Sequence, residues 1–214
     1  MRRAGEEGDV PDDAQDSLRA IALDPDVLSS RFEVQTKWQV IAGAQSSGKT
    51  TLIGQLAEQG YRVAPEGARL HLEGEMARGR TADEIRRNIA AFQRGIAETQ
   101  LGIERDLRAA EIVFLDRAVP DCLAWWRVYG LNPNELLGKC FRHRYASVFI
   151  LDRLPIQRDG LRPEDEALAA FIDEWTRRDY DALGYSVVRV PVSPPQERLA
   201  FVLERLGEGG STRS

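Results

Sequence analysis

Apolar and polar positions occur along the chain in blocks that predict strands and helices in turn. Five short segments are rich in Val, Ile or aromatic residues and lack strict in–out alternation, so we predict strands at 37–42, 61–64, 111–115, 147–151 and 186–190. Continuous apolar strands separated by helices are typical of a parallel sheet that is buried on both faces. The pattern therefore predicts an α/β fold, with a five-stranded parallel sheet covered by helices on both faces.

The longest helix is predicted at 82–108. Thr81 and Glu84 form a capping box at its start. An apolar stripe then recurs at helical spacing, formed by Ile85, Ile89, Phe92, Ile96, Ile103 and Leu107. Gln100 interrupts this stripe, either as its polar edge or as a contact for a bound substrate.

The two ends of the chain differ from the middle in composition. Residues 1–30 are acidic and hold few large apolar side chains, so we predict a disordered N-terminal arm. Within it, 17–28 is either a short helix or a loose interaction arm. Residues 208–214 are predicted to be a C-terminal tail, which leaves 31–207 as the folded domain.

Charge and cysteine content narrow the environment and the partners. The formal net charge is −5 and the sequence pI is about 5.3, which argues against a protein that coats nucleic acid. No apolar run approaches the roughly 20 residues that span a bilayer. Cys122 and Cys140 show neither CxxC spacing nor partner histidines. We expect a cytoplasmic protein without a membrane span.

One glycine-rich motif predicts a phosphate site. The segment Gly43-Ala44-Gln45-Ser46-Ser47-Gly48-Lys49-Thr50 matches the P-loop pattern GxxxxGK[ST], between a buried strand and a helix that continues through Thr51. Backbone N–H groups of such a loop point at phosphate oxygens, at the positive end of a helix dipole. Lys49 supplies a mobile charge for the β- and γ-phosphates, and Thr50 supplies a hydroxyl ligand for Mg²⁺.

Carboxylates follow two other predicted strands at the same edge of the sheet. Asp116 comes after four apolar residues and is predicted to hold Mg²⁺; its alternative is a helix cap. Arg117 reaches an acceptor or a phosphate, or else forms a solvated ion pair. Glu66 takes a proton from an attacking hydroxyl or holds the acceptor; its alternative is an acid in the first turn of the next helix.

Aromatic residues suggest an acceptor pocket. Trp125, Trp126 and Tyr129 follow Asp121 on a predicted helix. They either wall a pocket for an aromatic acceptor, with Asp121 on the acceptor side, or pack in the core.

Together with the P-loop, four motifs match one pattern. They are Ala-Pro-Glu at 64–66, Leu-Asp-Arg-Ala-Val-Pro-Asp at 115–121, Asp-Gly-Leu-Arg-Pro-Glu-Asp-Glu at 159–166, and Gly-Tyr-Ser-Val-Val-Arg-Val-Pro-Val at 184–192. From about 38 to 206 the chain resembles the AAA-type ATPase/kinase domain family of NadR-like and TRPL translocation defect protein-like P-loop proteins. The resemblance implies a P-loop fold of the nucleoside- or nucleotide-kinase type that binds ATP or GTP, with the P-loop strand beside the strand that carries Asp116.

The resemblance also implies an arginine-bearing lid over the triphosphate. It corresponds to Arg153, Arg158 and Arg162, with Arg153 on the nucleotide and the other two in catalysis. The segment follows the fourth strand directly, and Asp159-Gly160 breaks regular structure before a helix that starts near Pro163. The alternative is a solvated basic loop paired with acids 164–166.

Two functions fit these residues. The first is a phosphotransferase that acts on a small hydroxylated, nucleoside-like metabolite. The second is a regulatory NTPase whose bound nucleotide changes its affinity for a partner. The convergence of Glu66, Asp116 and Arg117 at the phosphate edge favours the enzyme, as does the lack of an [NT]KxD guanine-reading motif.

Overall fold

A five-stranded parallel sheet forms the centre of the fold, as the pattern predicts. The computed structural model describes residues 21–154 and 163–209 of the chain. The main sheet has the order β3-β4-β2-β6-β7, with all pairs parallel, and its strands are β2 Gln39–Ala42, β3 Arg62–Ala64, β4 Val113–Asp116, β6 Ser147–Leu151 and β7 Val187–Val190. The two remaining described strands, β1 Val34–Gln35 and β5 His143–Arg144, form a small parallel pair that the pattern did not predict.

Helices connect the strands and cover the sheet. Their bounds are α1 Pro25–Leu28, α2 Lys49–Glu58, α3 Gly67–Ala77, α4 Ala82–Arg86, α5 Ile89–Arg105, α6 Asp121–Val128, α7 Asn134–Leu137, α8 Pro163–Ala182 and α9 Pro195–Gly209, with a 3₁₀ turn at Gly138–Phe141. Within the described ranges, no helix is long and apolar enough to cross a membrane.

Alternate side chains of each central strand enter two separate cores, because successive residues of a strand point to opposite faces. In β2, Val40 and Ala42 lie in one core with α5 and α6, whereas Ile41 lies in the other with α2 and α9. In β4, Leu115 lies in the first of these cores and Phe114 lies in the second. The two cores fix the sheet between helical layers and hold its carboxyl edge in one place.

The predicted helix at 82–108 is wrong as a single element. The capping box of Thr81 and Glu84 is present, but α4 ends at Arg86. The Asn88 side chain then accepts a hydrogen bond from Ala91 N at 3.0 Å and starts α5 as a new helix. A second N-cap soon after the first helix begins therefore divides the stripe, although its apolar spacing continues across the break.

The folded part begins before residue 31 and ends after 207. Within the predicted disordered arm, α1 is folded, and Val27 and Leu28 pack against the core. Asp24 N donates to Asn134 Oδ1 at 2.8 Å, which ties this stretch to α7. At the other end, α9 runs to Gly209. The rest of both predicted tails, 1–20 and 210–214, lies outside the described residues.

Candidate functional site

The carboxyl edge of the sheet brings the predicted site residues together. β2 leads into the P-loop and pairs with β4 so that Ile41 lies opposite Asp116. On the other side of β4, Ala64 lies opposite Leu115, which places Glu66 just beyond the same edge. Neighbouring parallel strands thus bring the P-loop, Asp116 and Glu66 to one side of the sheet, where ligands of open α/β sheets bind.

The P-loop backbone needs its glycines for two reasons. Gly43 and Gly48 have φ values of 136° and 89°, which L side chains rarely adopt. A Cβ atom at Gly43 would also lie 3.0 Å from Ser47 Oγ and 3.1 Å from Leu151 O. Ser46 has a positive φ of 57° without being glycine. Gly48 forms the N-cap of α2, so the loop ends on a helix N-terminus.

Lys49 is the first residue of α2, and its side chain turns back to the loop and is only 8% exposed. Its Nζ donates to Ala44 O at 2.6 Å and to Ser47 Oγ at 3.4 Å. Burial lowers the pKa of Lys49 to about 7, with a further contribution from the charge of Arg117. An anion in the loop would favour the charged ammonium and replace these neutral partners.

Asp116 ends β4 with an unsatisfied oxygen. Its Oδ1 is buried and has no hydrogen-bond partner among the described residues. Burial raises the pKa of Asp116 to about 6, and the negative charge of Glu66 adds to the shift. Asp116 and Thr50 line the same cavity. A cation beside this carboxylate would satisfy its oxygen and favour the charged form, which opposes the rise in its pKa.

Arg117 and Glu66 form a hydrogen-bonded ion pair in the cavity. Arg117 Nε donates to Glu66 Oε1 at 2.9 Å. Glu66 precedes α3 but makes no side-chain hydrogen bond to cap it, so its carboxylate is oriented by Arg117 rather than by the helix end. Arg117 itself has a φ of 70°, a conformation that costs energy in a non-glycine residue and recurs at functional sites.

Asp121 lies beside this pair and is held by two donors. Its Oδ2 accepts from Ala118 N at 2.9 Å and from Tyr180 OH at 2.7 Å, the latter on α8. Its Oδ1 lies 3.7 Å from Arg117 Nη1, and both atoms are buried without a hydrogen-bond partner among the described residues. Burial raises the pKa of Asp121. Two opposite charges thus face each other in the site at a distance beyond that of a hydrogen bond.

A single cavity of about 520 Å³ joins the P-loop to these groups. Gln45, Ser46, Lys49 and Thr50 line its phosphate end. The same cavity is also lined by apolar and aromatic side chains from α3, α5 and the segment of α6, namely Leu72, Phe92, Ile96, Trp125 and Tyr129. The rings of Trp125 and Tyr129 stack with centroids 6.2 Å apart. Trp126 does not share this wall and packs in the core instead.

A buried polar network supports the loop that carries Arg117. Gln100 Nε2 donates to Arg117 O at 3.2 Å, and Gln100 also lines the cavity. One turn further along α5, Glu104 is 2% exposed. Its Oε1 accepts from Val119 N at 2.9 Å, and its Oε2 accepts from Tyr145 OH at 2.9 Å. Gln100 is thus both a support of the site and part of its surface.

Glu104 and Tyr180 support the site but were not predicted from the sequence. A signal for Glu104 exists, because Gln93, Gln100 and Glu104 follow one another at spacings of seven and four on the apolar side of the predicted helix. All three are buried. Tyr180 has no comparable signal, since it reaches Asp121 from a helix 59 residues further along the chain.

Of the three arginines of the predicted lid, only Arg153 lies within the described residues. Arg153 follows β6, and its Nη1 donates to the backbone oxygen of Glu166 on α8 at 3.2 Å. α8 begins at Pro163, as predicted. Arg158 and Arg162 lie outside the described residues.

The parallel sheet with its P-loop between β2 and α2 defines the class as a P-loop NTPase fold of the nucleoside- or nucleotide-kinase type. A family model described as "AAA domain" matches residues 38–198. The chain belongs to this family.

Solved structures, among them those of two kinases, share the fold. A NadR structure in complex with NR has a TM-score of 0.58 and 22% identity, over 83% of this chain and 52% of the NadR chain. The structure of deoxyadenosine kinase from M. mycoides has a TM-score of 0.57 and 12% identity, over 80% of this chain and 99% of the kinase chain. The structure of shikimate kinase from Aquifex aeolicus has a TM-score of 0.51 and 16% identity, over 82% of this chain and 99% of the kinase chain. The chain spans about half the length of NadR. A search of curated proteins gave no match.

Proposed function

We propose that the chain is a small-molecule kinase, which transfers the terminal phosphoryl group of ATP or GTP to a hydroxyl group of a nucleoside-like acceptor. The observation that carries the proposal is the single cavity of about 520 Å³. It is lined by P-loop residues, by Asp116 and the Glu66–Arg117 pair, and by the aromatic side chains of Trp125 and Tyr129. A triphosphate at one end and an acceptor at the other would meet at these charged groups.

The phosphate end holds the groups that a nucleotide and Mg²⁺ require. Backbone N–H groups of 43–51 and the Lys49 ammonium would bind the β- and γ-phosphates. No group of three His, Cys, Asp or Glu side chains that could hold a metal occurs in the described ranges. Mg²⁺ does not need one, because it keeps several waters and binds phosphate oxygens with one or two protein oxygens. Thr50 and the unsatisfied Asp116 fit that role. When bound, Mg²⁺ would neutralise charge on the β- and γ-phosphates.

Glu66 is suited to be the base. The acceptor oxygen attacks the γ-phosphorus, the bond from that phosphorus to the β-bridging oxygen breaks, and Glu66 takes the proton of the hydroxyl. The products are a phosphate monoester and a nucleoside diphosphate. Arg117 holds the Glu66 carboxylate at 2.9 Å, and this contact orients it towards the cavity. Arg117 and Asp121 line the same cavity, where their opposite charges suit the hydroxyl groups of a sugar-like molecule.

Charge in the acceptor pocket favours an acceptor without a phosphate or carboxylate group. Arg117 is already paired with Glu66 and faces Asp121. Arg69, the other guanidinium of this wall, is paired with Glu73 at 2.8 Å. An anionic acceptor would have to compete with these carboxylates. The stacked Trp125 and Tyr129 provide a surface for a planar ring. Nucleosides therefore fit better than nucleoside monophosphates or acids.

Ligands bound by proteins that share the fold are consistent with this choice. NadR has been solved in complex with NR, and also with NAD and AMP-PNP. Deoxyadenosine kinase, whose structure matches 80% of this chain, has a nucleoside in its name. These ligands belong to those proteins, and they support a nucleoside-like acceptor here only through the shared fold.

The segment after β6 is proposed to complete the site. Arg153 contacts the nucleotide when this segment closes, and Arg158 and Arg162 neutralise charge on the transferring group. The position of Arg153 directly after a central strand supports this role, because the carboxyl ends of the strands form the ligand edge.

A direct assay tests the function. The protein is incubated with γ-labelled ATP or GTP, Mg²⁺ and a panel of nucleosides, nucleoside monophosphates and hydroxy acids. We expect label on a nucleoside. Label only on a monophosphate or an acid would contradict the acceptor class. Release of inorganic phosphate with every acceptor unlabelled would instead favour the regulatory NTPase.

Lys49→Ala is expected to abolish stabilisation by Mg²⁺ and nucleotide. At 100 times the dissociation constant, a ligand stabilises the native state by about 2.7 kcal/mol. For a chain of this length that corresponds to a rise in Tm of roughly 5–11 °C. Thermal shift of the wild type should show this rise and the variant should show none, each measured against its own ligand-free form. Lys139→Ala is the control, because Lys139 pairs on the surface with Glu98. A rise as large in Lys49→Ala as in wild type contradicts the assignment of the P-loop.

A further inference from the structure

Arg198, on α9, bonds to three segments of the sheet edge that meet at the back of the P-loop. It is 4% exposed. Its Nη1 donates to Ser47 O at 2.5 Å, its Nη2 to Asp152 O at 3.3 Å, and its Nε to Pro191 O at 3.1 Å. These oxygens belong to the P-loop, to the residue after β6 and to the residue after β7. One guanidinium thus fixes three loops relative to one another.

The charge of Arg198 is not used in an ion pair with the nearest acid. Asp152 offers Arg198 its backbone oxygen, whereas its carboxylate binds Arg189 at 2.7 Å. A buried guanidinium whose contacts are backbone carbonyls costs energy to desolvate, and a neutral side chain of similar length would avoid that cost. Its position therefore suggests a use for the charge and for the rigid, forked donor set.

The contact with Ser47 O determines the direction of an N–H group in the loop. In a planar trans peptide the C=O and the following N–H point to opposite sides. Because Arg198 holds the Ser47 carbonyl on its own side, the Gly48 N–H points away from Arg198. Gly48 is also the residue at which a Cβ would lie only 3.1 Å from Arg198 Nη1. The side chain therefore lies directly behind the peptide that ends the loop.

We infer that Arg198 is a positioning residue for the P-loop, which holds the Ser47–Gly48 peptide in the orientation that binds the phosphates of the nucleotide. This inference rests on the proposed nucleotide site and extends it to a side chain from the last described helix. Removal of Arg198 frees the peptide to rotate, so that a donor to the phosphate is lost for part of the time. The loss concerns the phosphates and not the base or the ribose.

The test measures the dissociation constants of Mg²⁺·ATP, Mg²⁺·GTP and inorganic tripolyphosphate by calorimetric titration. Arg198→Met should weaken binding of the preferred nucleotide by roughly 10- to 100-fold, the scale of a lost hydrogen bond to a charged group. Arg198→Lys keeps the charge but not the fork, and should lose roughly 3- to 10-fold. Tripolyphosphate should weaken by the same factor as the nucleotide in each variant.

A control variant separates positioning from stability. Val202 lies one turn further along α9, is fully buried and packs in the core on that face. Val202→Ala should lower the Tm of the ligand-free protein and leave the dissociation constants within about twofold of wild type. If Arg198→Met does not fold, Arg198→Lys is compared with Val202→Ala in the same way.

Three outcomes would overturn the inference. Wild-type affinity in Arg198→Met, or in Arg198→Lys where only that variant folds, would show that the contact does not set the loop. A loss seen with nucleotide but not with tripolyphosphate would assign Arg198 to the base or ribose. An equal loss in Val202→Ala would reduce the effect to stability. A wild type that binds neither nucleotide contradicts the proposed function as well, which distinguishes that failure from the other three.

Discussion

Glu66→Gln is expected to lower the rate of acceptor phosphorylation by roughly 10²- to 10⁴-fold, the contribution of a general base. Glutamine has the same length as glutamate and can still accept a hydrogen bond from Arg117 Nε. In the wild type this atom lies 2.9 Å from Glu66 Oε1. It cannot take up the proton of the attacking hydroxyl. The dissociation constant of the nucleotide should change by less than about threefold, because no P-loop contact is removed.

Two further variants make this result specific. Asp116→Asn should also lose turnover, but through a weaker response to Mg²⁺, because Asp116 is the proposed ligand of its water shell. Glu98→Gln, on α5, removes only a surface pair with Lys139 outside the cavity and should keep the wild-type rate. Steady-state kinetics with the identified nucleoside and varied Mg²⁺ distinguish these cases. Turnover of Glu66→Gln at the wild-type rate would leave Glu66 with no role beyond orienting Arg117.

The sequence was sufficient for the features that depend on local pattern. The central strands were predictable because β2 and β4 each contain a continuous apolar run, which only a sheet covered on both faces can bury. The P-loop was predictable because its glycines and Lys49 occur at fixed spacing. The position of Asp116 follows from both, since a residue at the end of a buried parallel strand emerges at the ligand edge.

Features that depend on distant contacts were not predictable in this way. Arg198 reaches Ser47 across 151 residues, and Tyr180 reaches Asp121 across 59. Neither pair has a spacing that a single sequence reveals. The break between α4 and α5 was missed for the opposite reason, because it depends on a contact that is purely local. The cap at Asn88 is a hydrogen bond to a residue three positions later, and the spacing of apolar residues carries no information about it. Helix spacing predicts which face is buried, but not whether the backbone is continuous.

Arg127 is a charged residue whose burial the pattern did not reveal. It occurs in the last turn of α6 and is fully buried. Its Nη1 donates to Asp179 Oδ2 at 2.6 Å, its Nε donates to Ile21 O at 3.2 Å, and its guanidinium lies 4.2 Å from the ring centroid of Trp175. The Arg127–Asp179 pair joins the helix that begins with Asp121 to the helix that holds Tyr180, so it supports the acceptor side of the cavity from behind.

Asp179→Ala is therefore expected to destabilise the protein by about 3–5 kcal/mol, because it leaves the Arg127 charge buried and unpaired. For a chain of this length, that corresponds to a fall in Tm of roughly 6–20 °C. The double variant Arg127→Met, Asp179→Leu removes both charges and should recover most of the loss, since a buried pair is often no more stable than apolar side chains of similar volume. Urea denaturation of the two single variants and the double variant gives the coupling energy directly.

The pH dependence of the same variants provides an independent check. Burial raises the pKa of Asp179 to about 6, and the charge and hydrogen bond of Arg127 oppose the shift only in part. The native state then binds a proton between about pH 4 and 6 that the unfolded state has already released. The Asp179 contribution to stability is thus most favourable below about pH 4 and falls as the pH rises to about 6. Asp179→Asn should remove this part of the pH profile while keeping a partner for Arg127. Two results together would contradict this account: Asp179→Ala is as stable as the wild type at about pH 7, and Asp179→Asn keeps the wild-type pH profile. They would show that the contacts with Ile21 and Trp175 are sufficient to stabilise the buried Arg127.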